Sequence, residues 1–195
     1  IVMSRELNDK EKAAYKSKID MDMLPAKFAA DAVVFVVPKN STRTSISIDE
    51  LKAELSSDQK KIIFDGTNSS NLNFVAQKLN TIPNQLKFSI INGNKNLINE
   101  MNKFPDKIGV VSLNSISRPY DKESQELKNS IKILPVVEKD QSCEPTIGNI
   151  KGMKYPFTRV LYFLTNESYY GLGNGLIRFS CQQLGQIVVE KEGLQ

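Results

Sequence analysis

The sequence contains no histidine. That excludes a Ser-His-Asp triad, a histidine general base and a histidine-ligated metal within the chain. Its two cysteines, Cys143 and Cys181, are far apart and form no C-x-x-C pair. A thiolate zinc site therefore has no footing. The two either form one disulfide, if the fold brings them together, or stand as separate buried thiols. No Gly-x-x-x-x-Gly-Lys pattern is present, so a nucleotide P-loop is excluded. No run approaches the ~20 apolar residues that span a bilayer, and no signal peptide opens the chain. It begins Ile1-Val2-Met3, apolar and strand-like and without an initiator methionine, and so reads as starting inside a longer protein. The net charge is +4, but the basic residues are scattered and Lys60-Lys61 is their only adjacent pair. A nucleic-acid binder concentrates its charge on a stripe or helix, so nucleic acid is not an expected partner.

What is present is ordinary for a globular protein: 195 residues, 40% hydrophobic and 25% charged. That length makes one large domain or two small ones. Short apolar runs alternate with helical patterns. Residues 32–37, the longest apolar run, predict a strand buried on both faces and ended by Pro38. Ser47 followed by Asp49 and Glu50 predicts a capped helix start. Strands are expected at 61–64, 88–91, 108–111, 131–137 and 160–164. Helices are expected from Leu72 to Leu79, from Asn94 to Phe104, and from about Gly175, with Leu176, Ile177 and Phe179 inward and a break at Gly185. Residues 138–154 read as a loop, with room for a short hairpin. Strands separated by helices imply an open α/β sheet with parallel pairing.

Three places carry candidate chemistry. Asp65-Gly66-Thr67-Asn68-Ser69-Ser70-Asn71 joins a strand to a helix. A helix N-terminus offers unpaired amides and a partial positive charge, and small hydroxyl residues there can close around an anion. The same residues suit ordinary capping, with Ser69 or Asn68 as the cap and nothing bound. Ser4-Arg5 sits just after an apolar pair, where the carboxyl end of a strand would present it to a ligand. Arg5 would equally serve a surface ion pair with Glu6 or Asp9. Arg159, after Tyr155-Pro156-Phe157-Thr158, faces either a cleft or solvent, and solvent is the expectation. Tyr162, Phe163, Tyr169 and Tyr170 read as core and rim packing. Without histidine an enzyme would need paired carboxylates, and no such pair stands out. No catalytic residue, cofactor or metal is expected.

Taken in order, these pieces resemble a family. They are Ser4-Arg5, the strand 32–37, Ile48-Asp49-Glu50-Leu51, the Ser69-Ser70 loop, Ile108-Gly109-Val110, Tyr155-Pro156-Phe157-Thr158-Arg159 and the closing run from Gly185 to Leu194. The chain resembles the phosphate-binding proteins of bacterial ABC importers. The Asn-Ser-Ser form of its middle loop is similar to that of lipoprotein members from Bacteroidetes-type bacteria. The resemblance implies an α/β, two-lobed type II periplasmic-binding-protein fold. Residues 1–58 and 154–195 would form an incomplete first lobe and 59–153 the second. The absent start would carry a first strand and a Gly/Ser-rich phosphate loop. The chain departs from the family's middle loop. Asp65 stands where an arginine is usual, and Ser69-Ser70-Asn71 replaces Ser-Gly-Thr. A carboxylate there repels a phosphate dianion unless it accepts a proton or a donor.

The function this implies is solute binding without catalysis. Phosphate or a similar small oxyanion would be held in the interlobe cleft by Ser4, Arg5, Asn68, Ser69, Ser70 and Asn71. A membrane transporter would be the partner, and the protein would lie in the periplasm or outer cell envelope, lipid-anchored through the absent start. The rival expectation is an interaction or structural subunit of an envelope complex that keeps the fold with a decayed site.

Overall fold

The computed structural model describes residues 1–19, 25–167 and 171–195. The chain opens on a short strand, β1 (Val2–Met3), and a helix, α1 (Asp9–Ile19). α1 is polar nearly all round, so apolar periodicity gives no warning of it. A reciprocal cap starts it: Asn8 Oδ1 accepts from the Glu11 amide and Glu11 Oε2 accepts from the Asn8 amide, both at 2.9 Å. Then comes β2 (Ala26–Pro38), longer than its apolar run suggests. β3 (Ile46–Ser47) leads into α2 (Ile48–Ser56), where Ser47 Oγ accepts from the Glu50 amide at 3.0 Å, as its position predicts.

The expected alternation continues through β4 (Ile62–Phe64), α3 (Ser70–Lys78), β5 (Ser89–Ile90), α4 (Asn94–Glu100) and β6 (Ile108–Ser112). α5 (Lys122–Ser130) precedes β7 (Ile131–Leu134). The run 131–137 is two strands because Pro135 has no amide to donate, and β8 (Val136–Glu138) begins after it. β8 and β9 (Gln141–Cys143) form a hairpin whose turn residues Lys139 and Asp140 both have positive φ, the geometry that matches strand twist. α6 (Ile147–Lys151), β10 (Thr158–Phe163), α7 (Leu172–Cys181) and α8 (Gln183–Lys191) complete the chain.

Pairing is where the sequence-based expectation fails. Only β3–β8, β4–β5 and β4–β6 are parallel among the described strands, while β1–β10, β10–β2, β2–β6, β2–β7 and β8–β9 are antiparallel. A helical crossover makes consecutive strands parallel. β2, however, pairs with strands remote in sequence, and it runs against all of them. It also changes partners midway. Residues 26–32 pair with β10, and residues 33–38 pair with β6 and β7. Residues 33–38 thus share a sheet region with β4, and β2 changes partners at Ala32/Val33.

The core forms around this inner half of β2. Phe35 meets Phe157 edge to face at 4.9 Å, and Leu51, Leu72, Leu97 and Ile98 close over it from three helices. α4 can lie against β6 because residue 109 is glycine. A Cβ there would stand 2.5 Å from Leu97 Cδ2 and 2.8 Å from Met101 Sδ.

The C-terminal helices depart from expectation in two ways. Leu176 and Phe179 are exposed, and the less accessible stripe is Gly173, Ile177 and Ser180, which faces β2. Glu167 sets this rotation by accepting from the Gly173 amide at 2.6 Å, and Gly173 is small enough to lie against Thr165. The break between helices falls at Gln182, with extended backbone, and not at Gly185. Gly185 lies in the first turn of α8, where a side chain would collide with the Phe179 carbonyl. Cys143 and Cys181 are both free, the first half-buried and the second exposed, so they are neither paired nor buried. Among the described residues no helix is long and apolar enough to cross a membrane.

Candidate functional site

The loop after β4 delivers its residues to different tasks. Ser69 is the N-cap of α3, its Oγ accepting from the Leu72 amide at 3.1 Å. Capping therefore occupies Ser69. Asn68 is exposed, and its Oδ1 accepts from Asn73 Nδ2 at 3.1 Å. Ser70, at the first helical position, is also exposed. Asn71 turns inward and is buried. Its Oδ1 accepts from the Ser112 hydroxyl at 2.9 Å, and its Nδ2 donates to Asp65 Oδ2 at 3.0 Å and Asn94 Oδ1 at 3.2 Å. Asp65 is thus held by an amide and not by a cation, and its Oδ1 is buried with no partner among the described residues.

Arg159 overturns the expectation that it faces solvent. β10 sets it directly opposite Asp31 of β2, and it is 7% exposed and Asp31 2%. Its Nε and Nη2 donate to Asp31 Oδ2 at 3.2 and 2.7 Å, and Nη2 also donates to Ser112 Oγ at 2.7 Å. Nη1 reaches outward to Ser70 Oγ at 2.6 Å. The Asn114 amide donates to Asp31 Oδ1 at 3.1 Å. The buried charges cancel, and each of the three guanidinium nitrogens and both Asp31 oxygens has a hydrogen-bond partner. Without both conditions, burying an ion pair costs more than its attraction returns.

Arg5 behaves as a surface residue. It pairs with Glu11 through Nη2–Oε1 at 2.7 Å and Nη1–Oε2 at 2.8 Å, and it reaches Glu6 only at the backbone carbonyl. The ion-pair partner is Glu11 because the first turn of α1 brings it back over Arg5; neither Glu6 nor Asp9 takes that place. The Arg5 hydrogen bonds hold the Glu11 carboxyl down at about 2, helped by the Asn8 amide. The same contacts raise Arg5 above its ordinary value.

Ser4, Arg5, Asn68 and Ser70 line one cavity of about 920 Å³, with Asn73 and Gln77 on its α3 side. The structure thus brings together four of the six candidate residues. Ser69 and Asn71 shape the loop behind them. Sequence reasoning missed Asp31 and Ser112. A lone carboxylate inside the apolar stretch 29–37 is a signal that could have found Asp31. Tyr162 and Phe163 do pack as expected: the Tyr162 hydroxyl donates to Glu6 Oε1 at 3.1 Å, and Phe163 stacks on Phe28 at 3.9 Å. Tyr169 and Tyr170 lie outside the described residues.

A family model described as the PBP superfamily domain matches residues 1–183. Among solved structures, a Clostridium perfringens protein with phosphate bound superposes with a TM-score of 0.74 at 18% identity, over 99% of this chain and 76% of that one. An ABC-type phosphate transport receptor from Vibrio cholerae gives 0.72 at 15% identity, over 99% and 78%. PstS from Borrelia burgdorferi gives 0.65 at 22% identity, over 99% and 77%. At these identities the likeness is one of fold. No curated protein matches the chain significantly.

Proposed function

The chain belongs to the PBP superfamily domain family, and from that premise we propose that it is a solute-binding protein holding phosphate or a similar small oxyanion for an ABC importer. The observation that carries the reading is the cavity shared by Ser4, Arg5, Asn68 and Ser70 at the start of α3. Its walls come from two segments remote in sequence, residues 2–8 and residues 68–77.

The two lobes of this reading divide where β2 changes partners. One comprises residues 1–32 and 158–195, the other 33–157, so the crossings are β2 and the segment entering β10. Under this division the cavity lies between the lobes, and closure about those crossings encloses the solute. Ser4, Asn68 and Ser70 offer hydroxyl and amide donors. The start of α3 favours an anion by about 0.3–1 kcal/mol at an exposed position. Arg5 supplies a half-exposed guanidinium already shared with Glu11. No bond is made or broken. The implied partner is the membrane component of an importer, and the implied location is the periplasm or outer envelope, with lipid anchoring upstream of Ile1.

Calorimetric titration with inorganic phosphate tests the reading. Micromolar binding that weakens in Ser70→Ala supports it. No heat and no thermal shift at millimolar phosphate overturns it in favour of an interaction subunit that keeps the fold.

A further inference from the structure

We infer that Arg159 is the positioning residue of this cavity: by donating to Ser70 Oγ it directs the Ser70 proton away from itself and into the cavity, so the site favours a solute that presents an unprotonated acceptor oxygen there. The inference rests on the solute-binding reading and names what that site selects.

A guanidinium can only donate. With Arg159 Nη1 2.6 Å from Ser70 Oγ, the hydroxyl oxygen is the acceptor in that bond and its proton must point elsewhere. Ser70 is exposed and lines the cavity, and among the described residues no acceptor takes its proton. The open direction is the cavity. Arg159 has little freedom to release Ser70, because Asp31 and Ser112 hold its other edge and all three are buried. A lysine could keep the charge but could not reproduce this fork.

Asp31 gives the arrangement its second property. It cancels the charge of Arg159 inside the protein, so Ser70 receives a polarising dipole and not a net cation. Donation from Ser70 then varies little with ionic strength, unlike attraction between exposed charges.

The test is a double-mutant cycle read by phosphate calorimetry, with Ser70→Ala, Arg159→Lys and the double variant compared with the unaltered chain. Each single change is expected to weaken binding about tenfold, and the double no more than either single, because Arg159 acts through the same Ser70–solute hydrogen bond that Ser70→Ala removes. Arg159 variants disturb a buried pair, so a measurement on the unaltered chain runs beside them. The ¹⁵N resonance of Arg159 Nε is expected to move with added phosphate and to saturate with the calorimetric curve. Additive losses of about a hundredfold in the double variant, or an Nε resonance that phosphate leaves in place, overturn the inference while leaving the solute reading standing. No phosphate binding by the unaltered chain overturns the solute reading, and the inference falls with it.

Discussion

Arg159 and Asp31 are 128 positions apart in sequence, yet they are direct partners across β10 and β2, with Nη2 2.7 Å from Oδ2. Because both are buried, the pair behaves differently from a surface salt bridge. Arg159→Met leaves Asp31 charged and uncompensated, and is expected to cost about 3–5 kcal/mol. Replacing both, with Asp31→Leu beside Arg159→Met, should restore part of that loss. Urea denaturation of the single and double variants measures it. A single variant as stable as the parent would contradict the buried pairing.

Ser69 and Ser70 separate stability from binding. Ser69→Ala removes the N-cap of α3 and is expected to lower stability by about 1 kcal/mol. Ser70→Ala should leave thermal stability within about 0.5 kcal/mol, because Ser70 is exposed and water in the cavity can replace its hydroxyl as the acceptor of Arg159 Nη1, while weakening phosphate binding. Melting curves and calorimetry on the two variants give the comparison, and equal melting losses would refute the division of roles.

The Arg5–Glu11 contact should show in acid. Glu11 in the folded chain titrates at about 2, below its ordinary value of about 4.3. A depressed carboxylate contributes its stabilisation above the unfolded value and loses it as pH falls through the folded one. The loss therefore occurs between about pH 4.5 and 2. In Arg5→Met the Glu11 carboxyl is expected to move back up toward the ordinary range, as carbon-detected NMR titration of the glutamates would reveal. An unchanged Glu11 titration would show that Arg5 is not its partner.

Gly109→Ala is a packing test. The added methyl meets Leu97 and Met101 at the α4–β6 contact, and overpacking of this kind costs about 1–3 kcal/mol. A parallel Gly148→Ala, where the methyl meets nothing within 4 Å, should cost little. Thermal unfolding of both variants checks the contrast, and a harmless Gly109→Ala would mean that α4 does not press closely on β6.

The sequence by itself determined the features that depend on near neighbours. The run 32–37 reads as a buried strand, Ser47 is placed to cap α2 and Ser69 or Asn68 to cap α3, and apolar spacing locates α3 and α4. The absence of histidine by itself excludes a Ser-His-Asp triad, a histidine general base and a histidine-ligated metal. The order of short motifs along the chain was enough to indicate the family. What only the tertiary structure decided is every relationship made by strand register. Nothing near Arg159 in sequence says that it lies opposite Asp31, because that is set by how β10 docks along β2 after more than a hundred intervening residues. The antiparallel course of β2, the point where it changes partners and the rotation of α7 have the same origin. Each is fixed by contacts between segments whose separation no local pattern records, and the cavity at Ser70 is positioned by those contacts.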